Sequence, residues 1–209
     1  MNEKSTKKQS RKEKKAATRN ALKRAAKRCF EEKGFVQTQI GDITRQAGVA
    51  QGTYYVHFSN KDELLDDILK EFNTGLILRF TSTLGESLVS LEHWVKQCAK
   101  IFLEYWQEHR DFVGIYVQKT AEGLSLEALR DGLNPEATEF LFVRLNALLG
   151  QDNEKTLETW LVLQGLLAMW LRIGMQYLFN PEITEEIALQ VLIDATGGVL
   201  KGAFPSVSW

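Results

Sequence analysis

Apolar residues recur at spacings of three and four along most of this chain, and runs of strictly alternating β-branched residues are absent. That periodicity predicts helices rather than strands. With only 3 prolines in 209 residues, the fold class expected is all-α. Leu22, Ala26, Cys29 and Phe30 share one face of a first helix predicted from Ala16 to Lys33, which Gly34 ends as a C-terminal cap. Thr38 is the predicted cap of a short second helix that turns Ile40 and Ile43 inward. Gly48 supplies a sharp turn, and a third helix is predicted over Gln51 to His57. Asn60 with Glu63 three residues later forms a capping-box-like start to a long fourth helix. Its apolar positions are Leu64, Leu65, Ile68, Leu69 and Phe72.

The remainder reads as helix after helix. Leu91, Val95, Ala99, Phe102 and Trp106 lie at helical spacing within a helix predicted from Leu88 to Glu108. A shorter helix is predicted over Asp111 to Thr120. Asn134 followed by Pro135 has the form of a cap with proline at the first helical position, opening a helix to Leu149. Residues 154–179 are apolar on two faces. Leu157, Leu161, Gln164, Ala168, Leu171, Met175 and Leu178 form one, and Trp160, Leu163, Leu167, Trp170, Gly174 and Tyr177 form the other. Such a helix needs cover on nearly all sides. It is either the centre of a monomeric bundle or a contact with a second copy. The second copy is the economical supplier in a chain this small, with Leu161, Ala168, Leu171 and Met175 as interface residues. A last helix, Ile183 to Lys201, is placed to join it.

Charge divides the chain. Residues 1–60 hold 14 Lys+Arg against 5 Asp+Glu, and residues 61–209 hold 12 against 22. A basic head on an acidic body is expected where only the head meets phosphate; a solvated basic tail is the bland alternative. Cys29 and Cys98 fall in different segments, so neither a disulfide nor a metal pair is suggested. A reducing cytoplasm fits this. The basic N-terminus has no apolar stretch behind it and does not resemble a signal peptide. The 13 residues between Glu158 and Arg172 fall short of the roughly 20 needed to cross a bilayer, so no membrane partner is expected. His93, Cys98 and His109 lack tight ligand spacing, and no metal or other cofactor is expected. No Gly-rich phosphate loop, metal-binding His-Glu pair or Ser nucleophile elbow occurs, so nothing favours an enzyme.

The most informative run is Thr38 to Lys61. Two short helical patterns flank the turn at Ala47-Gly48-Val49, the layout of a helix-turn-helix whose second helix enters the DNA major groove. Gln51 can bond bidentately to adenine, and the ring of Tyr54 can lie against a thymine methyl. Gly52 permits close approach of the backbone to the duplex. Tyr55, Thr53 and Thr38 carry hydroxyls that can meet phosphates, and Lys61 sits where its charge and the start of the fourth helix both attract phosphate. Tyr54, Tyr55 or Phe58 can alternatively complete the small core beneath the turn.

These residues carry a resemblance. Phe30, Gly34-Phe35, Thr38, Asp42-Ile43, Ala47-Gly48-Val49, Gly52-Thr53, Tyr55, His57-Phe58, Lys61 and Leu64 resemble the tetracycline-repressor (TetR) family of bacterial transcription regulators. The likeness spans Ala21 to Leu65, about a quarter of the chain. It implies an all-helical homodimer whose first three helices bind operator DNA and whose body binds a small effector. It also implies a four-helix interface made by the last two helices of each subunit, and a phosphate contact at His57. Three positions depart from the family pattern. Ala50 stands where a capping Ser is common, Gln51 where the residue is often basic, and Gly41 where some members use an arginine on a base.

The domain organisation expected is a basic flexible arm at 1–15, a DNA-binding domain at 16–60, and an effector-binding and dimerisation domain at 61–209. Lys8, Arg11, Lys12 and Lys15 of the arm are candidate phosphate or minor-groove contacts. The body holds 16 of the 21 aromatics. Trp94, Phe102, Tyr105, Trp106, Tyr116, Phe140, Trp160 and Trp170 are candidates to line an apolar effector cavity, although aromatics at helical spacing are more often core. The function expected is a repressor released from a palindromic operator by a small, apolar or aromatic effector. The alternative is an architectural DNA-binding protein of weak sequence preference, held by the arm.

Overall fold

The computed structural model describes residues 3–84, 90–115, 135–149 and 156–204, and among these all regular structure is α-helical. The helices are α1 (Glu3–Lys33), α2 (Ile40–Ala47), α3 (Gln51–Tyr55), α4 (Lys61–Leu84), α5 (Leu91–Glu108), α6 (Pro135–Leu149), α7 (Leu157–Phe179) and α8 (Glu185–Ala203). The predicted helix over Asp111–Thr120 is seen at 111–115; its remainder, including Tyr116, lies outside the described residues.

Two predicted boundaries move for physical reasons. Apolar periodicity begins only near Ala16, but α1 starts at Glu3, so the segment expected to be a flexible arm is helical. It contains no Gly or Pro and consists mostly of Lys, Arg, Glu and Gln, which favour helix without any apolar face. The cap of α2 is Gln39 rather than Thr38. The Gln39 N–H donates to the Asp42 carboxylate at 3.1 Å, while the Thr38 hydroxyl is turned inward. At α4, the Glu63 N–H donates to Asn60 Oδ1 at 2.7 Å. The Glu63 carboxylate accepts from the Ser59 N–H and hydroxyl, one residue earlier than a simple capping box would have it.

The chain forms two compact units, residues 1–71 with 114–119 and residues 72–113 with 120–209. The division falls inside α4, which is continuous across it. The first unit is built on the face of α1 formed by Leu22, Ala25, Ala26, Cys29 and Phe30, buried together with Ile43, Tyr54, Phe58, Leu64, Leu65 and Ile68. Ion pairs flank this core. Arg19 and Lys23 meet Asp67, and Lys23 and Lys27 meet Glu71.

The second unit is organised by α5, whose Trp94, Val95, Cys98, Ala99, Phe102, Leu103, Tyr105 and Trp106 are all buried. Two close approaches need glycine. A Cβ at Gly174 of α7 would lie 2.8 Å from the Phe102 ring and 2.9 Å from Trp106, and one at Gly75 of α4 would lie 2.5 Å from the Tyr105 hydroxyl. The Tyr105 hydroxyl donates to the Phe72 carbonyl at 2.9 Å. Arg79 of α4 is paired with Glu108 of α5. α7 joins α8 through the Trp170 indole N–H, which donates to the Thr196 hydroxyl at 2.9 Å. By length and composition α7 is long and apolar enough to cross a membrane, because the helix runs past Arg172, where the sequence count stopped. Apolar side chains stay exposed on α7 at Leu157, Leu161 and Phe179, and on α8 at Ile187, Val191 and Val199.

Asp67 supplies a test of the α1–α4 contact. Burial raises its pKa, but the Arg19 hydrogen bond and the charges of Arg19 and Lys23 outweigh this and hold it below its ordinary value. Ionised Asp67 therefore stabilises the fold above the unfolded pKa of about 3.9, and the contribution is lost as pH falls through the folded value. Asp67→Asn is expected to destabilise by up to about 1 kcal/mol at pH 7. The difference from the parent closes as pH falls below about 4, read by urea denaturation at a series of pH values.

Candidate nucleic-acid interface

The candidate interface is a helix too short to hold its own shape. α3 has five residues, and its N-cap, Ala50, has no side chain to cap it. Gly48, at φ +68°, makes the turn before it and donates its N–H back to the Arg45 and Thr44 carbonyls. Only glycine enters that left-handed region without strain.

Tertiary packing supplies the order. Tyr54 is fully buried, its ring lies 5.8 Å from that of Phe58, and its hydroxyl donates to the Asn60 carbonyl at 2.8 Å. Burial pushes the phenol pKa up. Tyr54 is therefore the root of the helix, and the expected contact of its ring with a thymine methyl does not hold. The reason is register: Tyr54 shares the inward face of α3 with the core, and a large side chain is needed to fill the space below the turn. Its neighbour Tyr55 is 56% exposed.

Thr38 and Lys61 also differ from expectation. Thr38 is buried, and its hydroxyl is shared between the carbonyls of Gly34 at 2.8 Å and Cys29 at 3.0 Å. It closes the α1–α2 loop and offers no hydroxyl to phosphate. The Lys61 ammonium donates to the carbonyls of Phe35, Val36 and Thr38 and sits 4.4 Å from the centre of the Phe35 ring. Burial lowers its pKa, with Asp62 opposing. Its three donors match three carbonyls, so Lys61 ties the loop to α4 instead of presenting a free ammonium to phosphate.

His57 is buried, and its Nδ1 has no hydrogen-bond partner among the described residues. Burial lowers its pKa, and the charges of Lys15 and Arg19 lower it further. Sequence reasoning missed Arg19. Its guanidinium donates to the His57 carbonyl at 2.8 Å and to Asp67 at 3.1 Å, and lies 4.1 Å from the centre of the Phe58 ring. It is a positioning residue for the α3–α4 junction, visible in sequence only as one cation among many. Of the arm residues, Arg11, Lys12 and Lys15 are exposed on α1, and the side chain of Lys8 lies outside the described residues. On α3 itself Gln51, Gly52 and Tyr55 are exposed and Thr53 is half-buried, and a Cβ at Gly52 would meet nothing within 4 Å. The face left to read a groove is thus narrower than the sequence suggests.

The candidate effector residues are divided between packing and open chemistry. Phe102 packs on Trp106 and Trp170, Tyr105 is hydrogen-bonded to α4, and the Trp170 N–H is bonded to Thr196. Phe140 stacks on Phe80 at 5.7 Å, and Trp160 is half-buried. Trp94 and Trp106 bury indole N–H groups with no partner among the described residues. Of the candidate interface residues, Leu161 and Ala168 are exposed and Leu171 and Met175 half-buried.

Lys61→Met tests the loop tie. It keeps the aliphatic stem but leaves carbonyls unmatched, and is expected to destabilise by about 1–3 kcal/mol. Chemical denaturation checks this, and an unchanged midpoint contradicts it.

The comparisons with known proteins agree with this geometry. The family model described as bacterial regulatory proteins, tetR family, matches residues 22–68, from within α1 into α4. The transcriptional repressor KstR2 of Mycolicibacterium smegmatis is 28% identical over 112 residues, 53% of each chain. The fatty acid metabolism regulator protein of Bacillus subtilis is 35% identical over 78 residues, 37% of this chain and 40% of that one. The matched segments therefore span about half or less of these relatives. Among solved structures, a TetR-family transcriptional regulator from Syntrophomonas wolfei superposes with a TM-score of 0.71 at 18% identity, covering 89% of this chain and 94% of that one. The head matches the tetR family of bacterial regulatory proteins in sequence and most of the chain matches TetR-family structures in fold, and together these likenesses support a TetR-family regulator.

Proposed function

We propose that the chain is a DNA-binding transcriptional repressor, a cytoplasmic homodimer with no catalytic role, released from its operator by a small, largely apolar effector. The observation that carries this reading is the presentation of α3. Gln51, Gly52 and Tyr55 face outward from a five-residue helix that is ordered only because Tyr54 is rooted in the core beneath it. An exposed polar face on so short an element, held rigidly, suits insertion into a groove, where Gln51 can read an adenine edge and the Tyr55 hydroxyl can meet phosphate. Half-buried Thr53 flanks that face as a further contact, whereas His57, which the family resemblance would place on phosphate, is buried.

The exposed apolar side chains of α7 and α8 support the dimer. Exposed apolar side chains recur along both helices, at Leu157, Leu161 and Phe179 on α7 and at Ile187, Val191 and Val199 on α8, as an interface would need. A two-fold pair sets two α3 helices about 34–36 Å apart, or a multiple of that, and so calls for a near-palindromic operator. For the effector, the unpartnered indole N–H groups of Trp94 and Trp106 favour an otherwise apolar molecule that carries a hydrogen-bond acceptor. The name of the Bacillus subtilis relative, a fatty acid metabolism regulator, points to the same chemistry. α4 is the transmitter in this account. α5 grips it at Phe72 and Arg79, so an effector that displaces α5 shifts α4. It releases DNA only by the difference in its affinity for the two arrangements.

Selection from random duplex DNA, repeated as salt is raised, tests this reading. A two-fold-symmetric site that outlasts non-specific binding is expected, with two protomers bound. Sequence-blind binding that disappears steeply with salt would favour the architectural reading instead.

A further inference from the structure

The first half of α1 carries its cations on one side. At 100° per residue, Arg11, Lys12, Lys14, Lys15 and Arg19 fall within an arc of about 160°. Glu13, Ala16, Ala17 and Asn20 occupy the rest of the turn. Of the 10 residues from Arg11 to Asn20, Arg11 to Ala17 are exposed. A cationic run that is merely solvated has no reason to be sorted by face.

The sorting has a direction. The cationic arc is the same arc that, in the second half of α1, carries the buried Leu22, Ala25, Ala26, Cys29 and Phe30. One face of a single helix therefore changes from core to cation near Arg19. α1 and α4 run parallel, since Arg19 pairs with Asp67, Lys23 with Asp67 and Glu71, and Lys27 with Glu71. Arg19 already reaches the His57 carbonyl, which precedes the first residue of α4. Residues before Arg19 thus run beside the first turns of α4 and toward the α3–α4 junction. Lys15 bears on the His57 ring from there.

We propose that the N-terminal half of α1 is a rigid phosphate-binding helix that lies along the DNA backbone beside the half-site read by α3. This rests on the DNA-binding reading above and adds to it a second contact surface, helical and one-sided, in place of a flexible arm. From position 11 to position 19 the track is about 12 Å long, or roughly three to four base pairs of duplex. It carries affinity and salt sensitivity rather than sequence choice, which suits a chain whose α3 offers few side chains for readout.

The test uses the full chain and the duplex it selects from random sequence. Two variants are compared with the parent by hydroxyl-radical footprinting and by affinity at several salt concentrations. The first is K8Q/R11Q/K12Q/K15Q, in which glutamine keeps helix preference and removes charge. It is expected to keep the central protection and lose the flanking protection, and its salt slope should fall by roughly 3–4 per protomer. The second, Ala16→Pro, keeps every cation but breaks the helix. It is expected to lose the flanking protection as well, which a flexible arm would not. An unchanged slope and footprint in the fourfold variant overturns the proposal while leaving the operator reading intact, and flanking protection retained by Ala16→Pro overturns the rigid helix. If the parent selects no site at all, the DNA-binding reading fails and this proposal fails with it. Thermal melting of both variants shows whether the remaining helices are folded.

Discussion

A helix of five residues has too few internal hydrogen bonds to repay its nucleation, and in this chain that helix is the one proposed to meet DNA. Everything around it answers that constraint. Tyr54 anchors it to the core through ring packing and a hydrogen bond to Asn60. Lys61 satisfies the carbonyls of the loop between α1 and α2. Arg19 holds the carbonyl of His57 at the exit from α3. Each of these polar groups would be available to phosphate if it were not already committed within the protein. The head thus uses much of its polar chemistry for rigidity and leaves a narrow outward face at Gln51, Gly52 and Tyr55.

The helical body follows a related logic with apolar contacts. α5 is buried over most of its circumference, and glycines at 75 and 174 let α4 and α7 approach its aromatics closely. Such packing resists gradual deformation, and under the proposed function a bound molecule that disturbs α5 would shift a neighbour as a unit. α4 is the neighbour that continues into the head.

Much of this was legible in the sequence because helical periodicity and turn chemistry are local signals. The helices near 22–33, 61–72, 91–108 and 157–179 follow from apolar spacing, the one at 135–149 from the Asn134-Pro135 start signal, and the turn at Gly48 from the need for a left-handed residue. Inward and outward roles within α3 were not legible. Tyr54 and Tyr55 are adjacent and chemically identical, and only the tertiary core decides which one is buried. Thr38 and Lys61 were misassigned for a similar reason. Their partners are backbone carbonyls up to 26 residues away, and a carbonyl has no signature in a sequence. The helical state of residues 3–15 was masked because apolar periodicity stops at Ala16, although helix propensity does not. Phe102 and Trp170 show the limit for the body, since side chains that pack α5 against α7 and side chains that line a cavity have the same composition and spacing.

The central claim is that α3, rooted by Tyr54, reads base edges through Gln51. The most direct measurement is the base preference of Gln51→Ala against that of the parent, position by position across the selected site. The account predicts that preference relaxes at one symmetric pair of positions, by about 1–3 kcal/mol, with the rest of the site unchanged. An even loss of affinity across all sequences, or none at all, would contradict it.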